Sequence, residues 1–262
     1  MAVRGTHCPL AAARTRSFTS PSYMAAQTVR VLILSRIRLP RGQISKMGFV
    51  AESAAAHAVA GDCFVDARGA PSSDGATVWC LPTLVNIGVQ KAGTGELRTW
   101  VGAHPSVHAH GGEVHFFDVR RPELRCANVR QQSALRIAYA KYLWSRRHRL
   151  TRAQLGGGKI TFEKTPAYFD QSSPPLISCA LPGARFVLML RLPAARALSA
   201  YRMCRDDLKA RWCQSDANAT FTRILHGGGG DPVRTNRAAL RRSPQLRRML
   251  RLGKYALHLD RW

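Results

Sequence analysis

Short apolar runs alternate with amphipathic stretches from about residue 82 onward. The run Leu84-Val-Asn-Ile-Gly-Val89 ends in a glycine-containing turn and is followed by Leu97, Trp100 and Val101 at helical spacing. This predicts a strand, a loop and a helix. Residues 114–117 predict a short strand or extended edge. Residues 131–147 predict a helix through Leu135, Ala138, Tyr142 and Leu143, and residues 159–162 a strand after the loop of Gly156, Gly157 and Gly158. The run 185–190 predicts an apolar strand; Pro193 suits the first turn of a helix on which Ala194, Ala197, Leu198 and Tyr201 share a face. Strands alternating with helices argue for an α/β fold, a mostly parallel sheet with helices on both faces. Ligands in such sheets bind at the carboxyl ends of the strands.

The first 81 residues show no sustained period of either kind, apart from an apolar cluster at 29–34 and an alanine-rich piece at 51–60. They are expected to form a poorly ordered basic extension, with the folded domain at 82–262. Residues 227–230 read as a glycine loop and residues 237–262 as a basic helical region. No run reaches the roughly 18 apolar residues that cross a bilayer, because Arg30, Arg36 and Arg38 interrupt the best candidate, residues 29–39. No membrane anchor is visible. The first 40 residues, basic and rich in Ser, Thr and Ala, suit a transit peptide or a misassigned start better than a secretory signal.

Composition changes the picture mainly through charge. The 262 residues, 45% apolar, suffice for one sizeable core, and 40 Lys plus Arg against 15 Asp plus Glu give a net charge of +25. Such a surface attracts polyanions at low salt. Arginine dominates the excess, which coding bias explains as readily as phosphate or sulfate recognition does. Nucleic-acid binding would rest on charge alone, with none of the usual modules present. Seven cysteines without a CxxC pair imply neither a zinc site nor a full disulfide framework. Buried free thiols are expected, with Cys204 and Cys213 able to bridge in an oxidising lumen.

Four segments carry candidate chemistry. Gly88-Val-Gln-Lys91-Ala92-Gly93-Thr94-Gly95 lies between a strand and a helix, where glycines let N–H groups close around an anion and Lys91 adds a point charge. It differs from the nucleotide triphosphatase pattern GxxxxGK[ST], since the lysine precedes the second glycine. In Glu113-Val-His115-Phe-Phe-Asp118, a strand would turn Glu113, His115 and Phe117 to one side and bring a carboxylate against an imidazole, as proton abstraction needs. The plain reading is a solvated strand edge. In Thr161-Phe-Glu163-Lys164-Thr165-Pro-Ala-Tyr168-Phe169, Lys164 either stabilises charge on a transferring group or pairs with Glu163 on the surface. In Arg191-Leu-Pro-Ala-Ala-Arg196-Ala-Leu-Ser199-Ala-Tyr201, Arg191 and Ser199 can grip one phosphate, or mark a basic helix start with a surface serine.

In this order and spacing the segments GVQKAGT, HPSV, EVHFFD, EKTPAYF and RLPAARALSAY resemble the sulfotransferases that use 3'-phosphoadenosine 5'-phosphosulfate (PAPS), closest to the heparan sulfate glucosamine 3-O-sulfotransferases. The resemblance runs from about Pro82 to Trp262 and implies a P-loop-like sheet. It implies that Lys91, Ala92, Gly93, Thr94 and Gly95 hold the donor's 5'-phosphosulfate, and that Arg191 and Ser199 hold its 3'-phosphate. Glu113 would be the general base, His115 and Asp118 would shape the acceptor site, and Lys164 would sit beside the sulfuryl group. By the same resemblance Lys91, Lys164 and His115 join Glu113 in the catalytic set. No metal is implied. The implied acceptor is a sulfated or acidic polysaccharide and the implied setting the Golgi.

Departures from the family pattern are Glu96 at the start of the phosphate-binding helix, Leu192 in place of an aspartate and Ala195 in place of a frequent acidic residue. Family members also continue past the Trp262 position into a cystine-bearing segment that covers the donor, so the chain reads as C-terminally truncated and its activity as low. The alternative is a non-catalytic polyanion-binding relic of the same fold. A P-loop kinase or nucleotide hydrolase is disfavoured by the misplaced lysine and the lack of a clear acidic strand end for magnesium. The triplet Asn218-Ala-Thr220 matches a glycosylation acceptor at a near-chance rate.

Overall fold

A computed structural model describes residues 29–34, 49–65, 77–119, 124–145, 148–156, 159–208, 241 and 244–262. The strands are β1 (Val29–Leu34), β2 (Phe49–Val50), β3 (Cys63–Val65), β4 (Thr77–Cys80), β5 (Leu84–Gly88), β6 (Val107–Ala109), β7 (Leu150–Thr151), β8 (Ile160–Lys164) and β9 (Arg185–Arg191). The helices are α1 (Thr94–Gly102), α2 (Phe116–Val119), α3 (Val129–Leu143), α4 (Tyr168–Gln171), α5 (Pro174–Ala180), α6 (Pro193–Arg202), α7 (Pro244–Arg251) and α8 (Tyr255–Leu259). A 3-10 helix at Glu52–His57 precedes β3.

The larger sheet has the order β1-β9-β5-β8-β6. Four of its strands run parallel, with Leu84 opposite both Arg185 and Phe162 and Val107 opposite Ile160; β1 lies antiparallel on the edge. This is the α/β sheet flanked by helices that the alternating pattern predicts. Val85, Ile87, Phe162 and Leu188 are buried in β5, β8 and β9. Continuous apolar runs suit parallel strands covered on both faces. The second sheet, β2-β3-β4-β7, is smaller and mixed.

Order begins earlier than Leu84. β1 pairs with β9 along its whole length, and β3 and β4 pair with each other before the expected domain boundary at 82. Strands β2, β3 and β4, of two to four residues, have too few positions to show a period, and β1 is ordered by β9, far along the chain.

The expectation of free thiols is also corrected. Cys63 and Cys80 stand opposite each other on β3 and β4 and form a disulfide, Cys126 and Cys179 join the segment before α3 to α5, and Cys204 is disulfide-bonded too. Sequence spacing carries no information on such pairings. Cys8, Cys213, the Asn218 triplet and the loop at 227–230 lie outside the described residues.

α3 starts where Asn128 accepts from the Gln131 amide at 2.9 Å while Gln131 accepts from the Ala127 amide at 2.8 Å, a reciprocal cap. Its buried face is Leu135, Arg136, Tyr139, Ala140 and Leu143; Ala138 and Tyr142 face solvent, so the stripe is rotated from the expected one. Tertiary packing selects Tyr139, whose hydroxyl finds a buried acceptor, over Tyr142. Among the described residues no helix is long and apolar enough to cross a membrane.

Candidate active site

The carboxyl ends of β5, β8, β9 and β6 open toward the four segments singled out in the sequence. β5 runs into the 88–95 loop, in which Lys91 has φ 69 and Gly93 has φ 90. Left-handed residues there turn the chain back into α1, whose first N–H groups have no intrahelical partner. Ala92 is buried and its amide donates to the Val89 carbonyl, while Thr94 is buried and Gly95 exposed, with open space where a Cβ would stand. A helix start with such a loop and a half-buried lysine suits an anionic phosphate or sulfate group. Glu96 is exposed in the same first turn.

Arg191, the last residue of β9, donates to the Lys91 carbonyl at 3.2 Å. This brings the first and fourth segments together. The Tyr255 hydroxyl of α8 donates to the Arg191 carbonyl at 2.6 Å, so the C-terminal helices brace the same corner. Ser199 lies half-buried on α6. Arg196, also of α6, is buried and donates to the Met249 carbonyl of α7.

The Glu113 segment is not a strand. Residues 111–115 are irregular and α2 begins at Phe116, because His115 takes a left-handed φ of 54 that breaks the alternation. The turn still joins the carboxylate to the imidazole. Lys164 Nζ donates to Glu113 Oε1 at 2.6 Å, His115 Nε2 lies 3.2 Å from Glu113 Oε2, and His115 Nδ1 lies 2.7 Å from Asp118 Oδ2. Asp118 has a side chain only 4% exposed, whereas Glu113 and His115 are 35% and 42% exposed. A buried carboxylate thus orients a ring whose other nitrogen meets an accessible carboxylate.

Lys164 therefore pairs with Glu113 and not with Glu163, which is fully buried. Tyr139 donates to Glu163 Oε1 at 2.6 Å and Thr165 to Oε2 at 3.0 Å. Burial pushes the Glu163 carboxyl up to about 7, against the hydroxyl hydrogen bonds, and Asp118 adds repulsion. Burial and the neighbouring Glu163 hold the Tyr139 and Tyr168 hydroxyls far above the usual tyrosine range. The periodicity of the chain gave no sign of this cluster, since it depends on α3 carrying Tyr139 to Glu163 of β8. Arg98 escaped sequence reading as well: from α1 it donates to the carbonyls of His110 and Gly111, at 3.2 and 2.5 Å, and so ties α1 to the Glu113 turn.

Among proteins of known function, heparan sulfate glucosamine 3-O-sulfotransferase 6 of Homo sapiens is 30% identical over 197 residues, covering 75% of this chain and 47% of that protein. Heparan sulfate glucosamine 3-O-sulfotransferase 3A1 of Mus musculus is 34% identical over 186 residues, covering 70% and 37%. The chain is a homologue of the heparan sulfate glucosamine 3-O-sulfotransferases. The homologous region also matches the bifunctional heparan sulfate N-deacetylase/N-sulfotransferase of Drosophila melanogaster, 31% identical over 190 residues, with 70% of this chain and 16% of that one covered. A solved sulfotransferase from Alicyclobacillus acidocaldarius is 21% identical with a TM-score of 0.42, covering 69% of this chain and 67% of that one. No family model matches this sulfotransferase homologue. It spans about half the length, or less, of the curated relatives it matches. Among its described residues no group of three or more His, Cys, Asp or Glu side chains is arranged to hold a metal ion.

Proposed function

We propose that the chain carries the catalytic machinery of a PAPS-dependent carbohydrate O-sulfotransferase, with a glucosaminyl hydroxyl of a heparan-sulfate-like glycan as acceptor. The observation that carries this reading is the chain of contacts from Lys164 through Glu113 and His115 to Asp118, which stands beside the glycine-rich Lys91 loop that follows the adjacent strand. A base, a cation and a phosphate cradle are what in-line group transfer between two oxygens requires.

PAPS would supply a sulfuryl group whose S–O bond to phosphate breaks as a bond to the sugar oxygen forms, leaving adenosine 3',5'-bisphosphate. Lys91 and the first-turn amides of Thr94 and Gly95 hold the phosphosulfate end, with Ala92 and Gly93 shaping the loop. Arg191 and Ser199 hold the 3'-phosphate. Glu113 takes the hydroxyl proton, and His115, oriented by Asp118, fixes the carboxylate from its other side. Lys164 has three donors and spends one on Glu113, which leaves others for the oxygens of the moving group. The +25 charge suits an acidic polysaccharide. The disulfides support an oxidising lumen such as the Golgi.

The test is transfer of labelled sulfate from PAPS to heparan sulfate oligosaccharides, with wild type and Glu113→Gln side by side. Transfer by the wild type that collapses in the variant supports the reading. Salt-sensitive heparin retention with no transfer, indifferent to Glu113→Gln, would point to the non-catalytic relic, for which Glu96 in the phosphate-binding turn is the favouring observation.

A further inference from the structure

The left-handed conformation of His115 is disfavoured for a residue with a Cβ and persists only where its surroundings hold it. Two hydroxyls do so from either side. The amide of Val114 donates to Thr165 Oγ1 at 2.9 Å and the amide of Phe116 donates to the Tyr168 hydroxyl at 3.3 Å. Both hydroxyls belong to the cluster around Glu163, together with Tyr139. Glu163, Tyr139, Thr165 and Tyr168 are all fully buried. The groups that hydrogen-bond Glu163 are the hydroxyls of Tyr139, Thr165 and Tyr168. Burying a carboxylate is costly, so its hydroxyl donors must be held in one arrangement for it to ionise. That arrangement leaves the lone pairs of Thr165 and Tyr168 free to accept the two amides that flank His115.

We propose that Glu163 is a positioning residue: through Thr165 and Tyr168 it locks the backbone on both sides of His115, so that Glu113 and His115 face each other and Lys164. The proposal rests on the sulfuryl-transfer reading for its kinetic consequence but not for its geometry. Glu163 bonds to core hydroxyls, while the group that pairs with Glu113 is Lys164. Its neighbour in sequence, Lys164, points the other way along the strand pleat toward the site, so one dipeptide of β8 serves the scaffold with one residue and the reaction with the next.

The experiment compares wild type, Glu163→Gln, Thr165→Val and Thr165→Ser in the full chain, each also in a Glu113→Gln background. The expected result is that Glu163→Gln and Thr165→Val lower kcat by about 10- to 100-fold, while adenosine 3',5'-bisphosphate affinity stays within about twofold. Thr165→Ser keeps the hydroxyl and restores kcat to within about threefold. Without the base, Glu163→Gln changes the residual rate by less than about twofold, because residues acting through one unit are not additive. Independently of activity, amide exchange at Val114 and Phe116 quickens at least about tenfold in Glu163→Gln, and the His115 ring resonances move. The proposal is overturned if these amides and resonances are unchanged, or if Glu163→Gln costs as much without Glu113 as with it. A wild type that transfers no sulfate sinks the functional reading alone, and the exchange measurement still decides the positioning role.

Discussion

Arg191 reaches back to the carbonyl of Lys91, 100 positions earlier, at 3.2 Å, so the two cations of the proposed donor site share one corner of the sheet. Arg191→Ala removes a charge and also releases the loop that carries Lys91. Affinity for adenosine 3',5'-bisphosphate, measured by calorimetry, is expected to fall by roughly 1.5–3 kcal/mol, the scale of a charge-assisted hydrogen bond. Arg191→Lys is expected to recover little of it, because one ammonium does not replace a planar fork. Equal affinities for wild type and Arg191→Ala would remove Arg191 from the site.

Glu113→Gln keeps the size of the side chain and its acceptor for Lys164 but not its basicity. We expect kcat for sulfate transfer to drop by roughly 10²- to 10⁴-fold with the bisphosphate affinity little changed. A comparable loss of bisphosphate affinity would instead make Glu113 part of the donor site.

The Glu163 carboxyl, raised from 4.5 to about 7 by burial, binds its proton more tightly in the folded chain than in the unfolded one. Its contribution is therefore fully present below about pH 4.5 and is lost as pH rises through about 7, a swing of roughly 3 kcal/mol. Burial lowers His108 and His110, which act in the opposite sense and cost stability as pH falls below 6.5. Urea denaturation from pH 4.5 to 8 should show that the stability of Glu163→Gln relative to wild type increases with pH. A difference that stays flat would mean that Glu163 titrates normally.

Cys126 and Cys179 close a loop of 53 positions between the start of α3 and α5, beside the Arg136 side chain that donates to the Cys179 carbonyl. Replacing both with serine is expected to cost about 2–4 kcal/mol in denaturant unfolding under oxidising conditions. Reductant should lower wild-type stability by at least as much, since it opens the Cys63–Cys80 bridge too.

Strands β5, β8 and β9 could be read from the chain because each is a largely buried run bounded by glycine or proline, and helix α1 from the spacing of Leu97, Trp100 and Val101, although Trp100 is exposed. The site could be read because Lys164 and Arg191 end β8 and β9 and Lys91 comes three residues after β5. The Glu113 segment misled for a local reason: alternating side chains imitate a strand, yet a left-handed His115 places the same groups together by a turn. Glu163 misled for a distant one. Beside a lysine it resembles half of a surface ion pair, and only α3, which places Tyr139 against it, makes it a core residue. The strands before residue 82 escaped because their pairing partners, not their own pattern, order them.

β1 occupies the flank of β9 from Phe186 to Arg191 and, among the described strands, is the one antiparallel member of the larger sheet. It caps a row of backbone donors and acceptors that would otherwise face outward. A recombinant form begun at residue 82 would keep all four motifs and still bare a six-residue ribbon ending at Arg191. A second molecule could pair along that ribbon. Turbid or sluggish preparations of such a shortened form would then report a missing neighbour, not a missing reaction.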